Sequence, residues 1–177
     1  MNIYTKTGDS GETGLRYGQR ISKSSLQINC IGEVDELNAS LGLARSSNKD
    51  EIIEKVLGSL QNQLFDLGAD LSQSKKSSKK IQSGHAEQVE HWIDQFNEKL
   101  EPLNNFVLPG GTEVAALLHL SRSVCRRAER KIVEFSEKDG KDLEDIIKFL
   151  NRLSDLFMMA RYANNVEGVG EIIWEGE

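Results

Sequence analysis

The sequence predicts an all-α fold, a five-helix up-and-down bundle forming a single domain over residues 1–177, and three observations carry that reading. A chain of 177 residues is long enough for one well-buried core and short for two. Proline occurs only at Pro102 and Pro109, so little of the chain is closed to helix. Between a glycine-rich start and a short tail, apolar residues recur every three or four positions, the period of a helix with one buried face.

The first 25 residues are the exception. "IYTKTGDSGETGL", Ile3 to Leu15, holds three glycines, three threonines and a single lysine, and reads as an irregular arm over 1–25. The bundle then spans 33–165. Its first helix, Glu33 to about Ser46, carries Val34, Leu37, Leu41 and Ala44 on one side. The second, Asp50 to about Ser72, has the cleanest stripe: Ile53, Val56, Leu57, Leu60, Leu64, Leu67 and Leu71. The third, Gly84 to Leu100, repeats it with Val89, Ile93, Phe96 and Leu100, and the fourth, Gly111 to about Ser136, with Leu117, Val124, Ala128, Ile132 and Phe135. The fifth, Asp142 to about Asn165, carries Ile146, Leu150, Leu153, Phe157 and Ala160. Between the second and third helices, "SQSKKSSKKIQSG" reads as a polar connection whose lysines are either solvated or hold a phosphate. The tail "GVGEIIWEGE" has Ile172, Ile173 and Trp174, enough to dock against the bundle or a neighbour.

Composition removes several functions. A formal charge of −6 argues against a nucleic-acid partner, because such affinity comes from lysine and arginine neutralising phosphates. No run approaches the roughly 18 to 20 apolar residues of a membrane span. A basic start followed by an apolar segment is also missing, so cytoplasmic residence is expected. Cys30 and Cys125 lie far apart with no CxxC and read as reduced, buried thiols. None of His85, His91 or His119 follows a glutamate by three positions, which excludes the Glu-x-x-His pattern of a di-iron bundle. No Ser/His/Asp or Cys/His set stands out, so a nucleophile, if there is one, belongs to a substrate or cofactor.

Two segments concentrate chemistry. In "TKTGDSGETG" the glycines permit backbone conformations in which successive N–H groups surround an anion, and threonine hydroxyls add donors. The GxxxxGK[ST] pattern is absent, and a flexible arm explains the same composition. In "RSVCRRAERKIV" the helical period turns Val124, Ala128 and Ile132 to the core and sets Arg122, Arg126 and Glu129 along one flank, with Arg127 and Arg130 further round. That flank fits a polyphosphate and metal station, or an exposed ionic face. Asn151, Asp155, Met158 and Tyr162 on the fifth helix and Asp35, Glu36 and Asn38 on the first are polar or amphipathic neighbours of core stripes, and some need partners across helices or subunits. Phe106, in "NNFVLPGG", is either a core plug or a ligand contact.

Taken together, "YTKTGDSGETGL", "GEVDELNASLG", "FVLPGGTEVAALLHLSRSVCRRAERKIV" and "NRLSDLFMMARYAN" resemble the PduO-type ATP:cob(I)alamin adenosyltransferases, the corrinoid adenosyltransferases, through most of the chain. The resemblance implies a homotrimeric five-helix bundle with ATP and corrinoid bound between subunits and a nucleotide-binding N-terminal loop. The reaction it implies joins the 5′-deoxyadenosyl group to Co(I) of cob(I)alamin and releases triphosphate. A non-catalytic ATP- or cobalamin-sensing bundle is the alternative of the same fold. By the same resemblance Thr5, Lys6, Thr7, Gly8, Thr13 and Gly14 wrap the triphosphate, and Lys23 adds charge. Arg126, Arg127, Ala128, Glu129, Arg130 and Asn151 match ATP positions, with Glu129 helping to place Mg²⁺. Asp35 and Arg122 match an intersubunit ion pair that acts in catalysis with Arg126. Phe106 matches the residue beneath the corrin. A Co(II) reductase and an adenosylcobalamin-dependent enzyme are implied partners.

Overall fold

The computed structural model describes residues 3–16, 18–73 and 79–176. Two short strands, β1 (Glu12–Gly14) and β2 (Arg20–Ser22), pair antiparallel with Thr13 opposite Ile21. The helices follow as α1 (Leu26–Ser47), α2 (Glu51–Leu71), α3 (Ser83–Asn97), α4 (Glu113–Asp139), α5 (Glu144–Leu156) and α6 (Met159–Val166). All five expected helices are present. Three local features differ from expectation: the arm contains a hairpin, α1 begins seven residues earlier, and the fifth helix is divided into α5 and α6.

Each difference has a physical cause. Ser25 caps α1, accepting the Ile28 N–H at 3.4 Å, and the stripe is already established at Gln27 and Cys30. Gln27 hides that beginning because it is polar, yet it is buried and donates Nε2 to the Leu71 carbonyl at 2.7 Å, satisfying the end of α2. At the division of the fifth helix the chain tightens into three-residue bonds, Met158 N–H to Asp155 O at 3.1 Å and Ala160 N–H to Phe157 O at 3.0 Å. Phe157 stays buried through the turn, so the apolar period continues unbroken in the sequence.

The remaining helices start and stop as their residues dictate. Asp50 caps α2, its Oδ1 accepting from Ile52 and Ile53 at 2.8 and 2.9 Å, and Thr112 caps α4 through the Ala115 N–H at 3.2 Å. Gly140 ends α4 in the left-handed conformation at φ 60°.

α1 packs against α2 and α4, while α5 packs against α3 and α4. The seven-residue stripe of α2 is buried throughout, and Phe96, Phe135, Phe149 and Phe157 fill the centre of the core. Each such side chain removed from water contributes roughly 1.5–3 kcal/mol. Polar cross-links fix α1 between its neighbours. Asn38 and Gln61 exchange side-chain amide bonds with each other's backbone carbonyls at 3.2 and 3.3 Å, and Arg127 of α4 forks onto Glu33 and Glu36 of α1. The helices that carry the candidate site are thereby held as one body.

The polar connection 72–84 is anchored at its exit. Lys79 pairs with Asp142 at 2.7 Å and Lys80 with Asp66, while Asp70 accepts the Lys80 and Ile81 N–H groups. Residues 74–78, with two of its lysines, lie outside the described residues, as do Met1, Asn2 and Tyr17 of the arm. The tail docks on the bundle: Val107 and Ile173 form an antiparallel bridge, flanked by Leu108 N–H to Ile172 O at 2.7 Å and Trp174 N–H to Phe106 O at 2.8 Å.

Candidate functional site

The arm is a hydrogen-bonded loop. Lys23 sends its Nζ back to the Gly8 carbonyl at 2.7 Å, Arg20 reaches the Thr7 carbonyl at 2.6 Å, and Gly11 donates to Gly8 O at 3.2 Å. The Thr5 and Thr7 hydroxyls lie 2.9 Å apart. Lys6 at φ 58° is the sole non-glycine residue with positive φ among the described residues. Such a conformation costs a β-carbon-bearing residue about 1–2 kcal/mol, so Lys6 is held there by its surroundings.

The arm closes one side of a cleft of about 550 Å³ whose other walls are α1 and α2. Thr13, Gly14, Asp35, Asn38, Phe65 and Gly68 all face it. Phe65 is 75% exposed, and the Asn38 Oδ1 is buried without a hydrogen-bond partner. Asp35 makes no side-chain hydrogen bond or ion pair among the described residues. No residue of α4 lines this cleft.

The arginines of α4 divide into two groups. Arg127 is committed to Glu33 and Glu36, which raise its pKa further above the usual arginine value. Arg122, Arg126 and Arg130 are exposed and make no side-chain hydrogen bond or ion pair among the described residues. Glu129 Oε1 accepts from Asn151 Nδ2 at 3.1 Å, the one direct link between the α4 flank and α5 anticipated from their polar residues. These two residues face a second hollow of about 430 Å³ with Ser136, Asp142 and Lys148. Ala128 is wholly buried in the core beneath the arginines. Tyr162, counted on the polar flank from sequence, is 7% exposed and turns its hydroxyl toward Asp50 at 3.5 Å.

Phe106 is 75% exposed and so is not a core plug. It borders a third hollow of about 650 Å³ between residues 103–106 and 173–176, where its ring meets Trp174 edge-on, 6.1 Å between centroids at 72°. The chain therefore holds three separate surfaces: the arm's cleft facing Asp35, a row of arginines unpaired among the described residues beside Glu129 and Asn151, and an exposed aromatic loop.

The family model described as cobalamin adenosyltransferase matches residues 3–163, which covers the arm, all the arginines of α4 and Phe106. The chain belongs to the cobalamin adenosyltransferase family. It is 41% identical over 177 residues to a cobalamin adenosyltransferase of Cupriavidus metallidurans, covering 99% of this chain and 95% of that protein. It is 40% identical to a corrinoid adenosyltransferase of Mycobacterium leprae, covering 97% and 94%. Among solved structures it is similar to a phenylalanine-to-alanine variant of the PduO-type ATP:corrinoid adenosyltransferase from Lactobacillus reuteri complexed with cobalamin and ATP. The TM-score is 0.93 at 34% identity over 99% of this chain and all of that one. An arginine-to-lysine variant of the same enzyme, complexed with ATP, gives a TM-score of 0.91.

Both cysteines of this adenosyltransferase-family chain lie in the core. Cys30 and Cys125 are buried free thiols, and burial pushes Cys30 up to about 12 and Cys125 higher still, so neither is a nucleophile at neutral pH. No group of three or more histidine, cysteine or carboxylate side chains that could hold a metal occurs among the described residues. None of the helices is long and apolar enough to cross a membrane among those residues. Residue reading missed Phe65, whose place off the apolar stripe of α2, beside Gln61 and Gly68, is the signal that could have marked it as exposed. It also missed Arg161 and Asn164, which sit within the last helical stretch yet hold the Phe106 loop.

Proposed function

We propose that the protein transfers the 5′-deoxyadenosyl group of ATP to Co(I) of cob(I)alamin or a related corrinoid, forming adenosylcobalamin and releasing triphosphate. The Co(I) electron pair forms the bond to C5′, the C5′–O bond breaks, and its electron pair leaves with the triphosphate. No protein nucleophile is needed, which accords with two inert thiols. The observation that carries the reading is the row of exposed, unpaired arginines on α4 in a chain of this family. Unpaired guanidinium groups have donors ready for a leaving group of high charge, and electrostatic stabilisation of that charge is what the displacement demands.

In this reading the arm, through Thr5, Lys6, Thr7, Gly8, Thr13, Gly14 and Lys23, cradles the triphosphate. Arg126, Arg130, Glu129 and Asn151 complete the nucleotide site, with Arg127 and Ala128 setting the helix beneath them. Mg²⁺ is compatible with a single carboxylate when phosphate oxygens and water supply the other ligands. Glu129 qualifies, because Asn151 engages only its Oε1. Phe106 offers the corrinoid an apolar ring that fills an axial position without donating to cobalt.

The assembly we infer is a homotrimer. Asp35 and Arg122 are both exposed and unpaired among the described residues, and pairing them between chains unites the arm's cleft with the arginines it lacks. A reductase supplying Co(I) and an enzyme consuming adenosylcobalamin are the partners this chemistry requires. The test is direct: protein, ATP, Mg²⁺ and chemically reduced cobalamin should give the adenosylcobalamin spectrum and stoichiometric triphosphate. Unchanged cob(I)alamin over many minutes would overturn the assignment.

A further inference from the structure

The Phe106 ring is 75% exposed, so its own packing does not hold it. What registers the loop is the tail, through the two backbone bonds at Phe106 and Leu108 and the edge contact of Trp174. The tail itself has little burial to fix it: Ile172, Ile173 and Trp174 are 46%, 40% and 52% exposed. One strong interaction lies at its root. Arg161 of α6 is 9% exposed, and its guanidinium grips the Glu171 carboxylate through both Nε and Nη2. The same Nη2 donates to the Glu101 carbonyl at 3.0 Å, at the opposite end of the segment leading to Phe106. The arginine thus joins the two strands of the bridge at their base. One turn further, the buried Asn164 amide accepts from Thr112 N–H at 2.8 Å and donates to Gly110 O at 3.2 Å, fixing the loop's exit.

We propose that Arg161, paired with Glu171, is a positioning residue for the corrinoid half of the reaction: it locks the tail against residues 106–108 and so sets where Phe106 stands. This inference rests on the assignment of Phe106 as a corrinoid contact. A nearly buried guanidinium is tolerated only when paired, and its planar fork engages both oxygens of one carboxylate while also reaching the Glu101 carbonyl, a geometry that the compact ammonium of a lysine does not reproduce. Loss of the carboxylate leaves the cation unmatched and releases the tail at its root. Phe106 then samples several orientations, a cost paid only when the corrinoid binds.

The test compares Glu171→Gln, Glu171→Asp and Arg161→Lys with a chain ending at Gly170. Each is assayed for KM of corrinoid, KM of ATP, kcat and Tm, with hydrogen exchange read at the Leu108 amide. Glu171→Gln and the truncation are expected to raise the corrinoid KM about tenfold and speed Leu108 exchange, with the ATP KM unchanged within twofold. Glu171→Asp should restore part of the loss, and Arg161→Lys should not. If Leu108 exchange accelerates and the corrinoid KM stays put, the pair is a structural tie and the proposal fails. Equal rises in both KM values, or a truncated chain as active as the full one, overturn it as well. Phe106→Ala separates the two layers: an unaltered corrinoid KM in that variant removes the Phe106 assignment, whereas a raised one with normal Glu171→Gln kinetics removes only the latch.

Discussion

Asp35 on α1 and Arg122 on α4 carry opposite charges and find no partner among the described residues of their own chain. A charge pair on a solvated surface is worth about 0–1 kcal/mol, but one enclosed by an interface costs far more when halved, because the survivor stays desolvated. Asp35→Asn and Arg122→Ala are therefore expected to lower kcat/KM by about ten- to a hundredfold, ~1.4 to 2.8 kcal/mol. Wild-type kinetics in either variant would show that the two groups never meet. A different residue tests the scaffold of the Phe106 loop. Gly111 sits at φ 100°, and a β-carbon there would collide with the Asn164 amide. Gly111→Ala combines backbone strain with that collision and should cost about 2–4 kcal/mol, a fall in Tm of several degrees. A Tm within one degree of wild type would mean that Asn164 can move away freely.

Among the elements, the arm makes the clearest demand. Its hairpin is only three residues per strand, its residues are mostly exposed, and backbone and lysine bonds to carbonyls hold its shape. Amide exchange over residues 5–14 should be fast in the free protein and slow at least tenfold with saturating ATP, whereas α2 stays slow in both. Equal exchange with and without nucleotide would remove the arm from the ATP site. The hairpin was invisible beforehand because Glu12–Gly14 and Arg20–Ser22 are too short and polar to alternate. α2 was legible to within a residue, since every position of its stripe is aliphatic. α1 and the fifth helix were legible in kind and not in extent: Gln27 does the work of a core residue with an amide, and Phe157 carries the apolar period across a turn. The same contrast governs the site. Unpaired arginines and a glycine-rich loop announce themselves by residue type. Arg161 and Asn164 look like ordinary helical residues until the fold brings Glu171, Glu101 and Gly110 to them.

For the whole molecule, the expected state is a trimer of three times the chain mass by light scattering at micromolar concentration; a monomer would leave the arm's cleft without arginines and sink the shared site. The separation of Asp35 and Arg122 within each chain has a genetic consequence. Around a closed ring, every interface takes its aspartate from one subunit and its arginine from the next. Two impaired alleles can then complement. If Asp35→Asn and Arg122→Ala chains are unfolded together, mixed equally and refolded, about a quarter of the interfaces receive both native residues from different parents. Activity should rise to roughly that fraction of wild type, above the tenth to hundredth that either homogeneous preparation retains. A site contained within single chains would show no gain over the two homogeneous preparations at any mixing ratio.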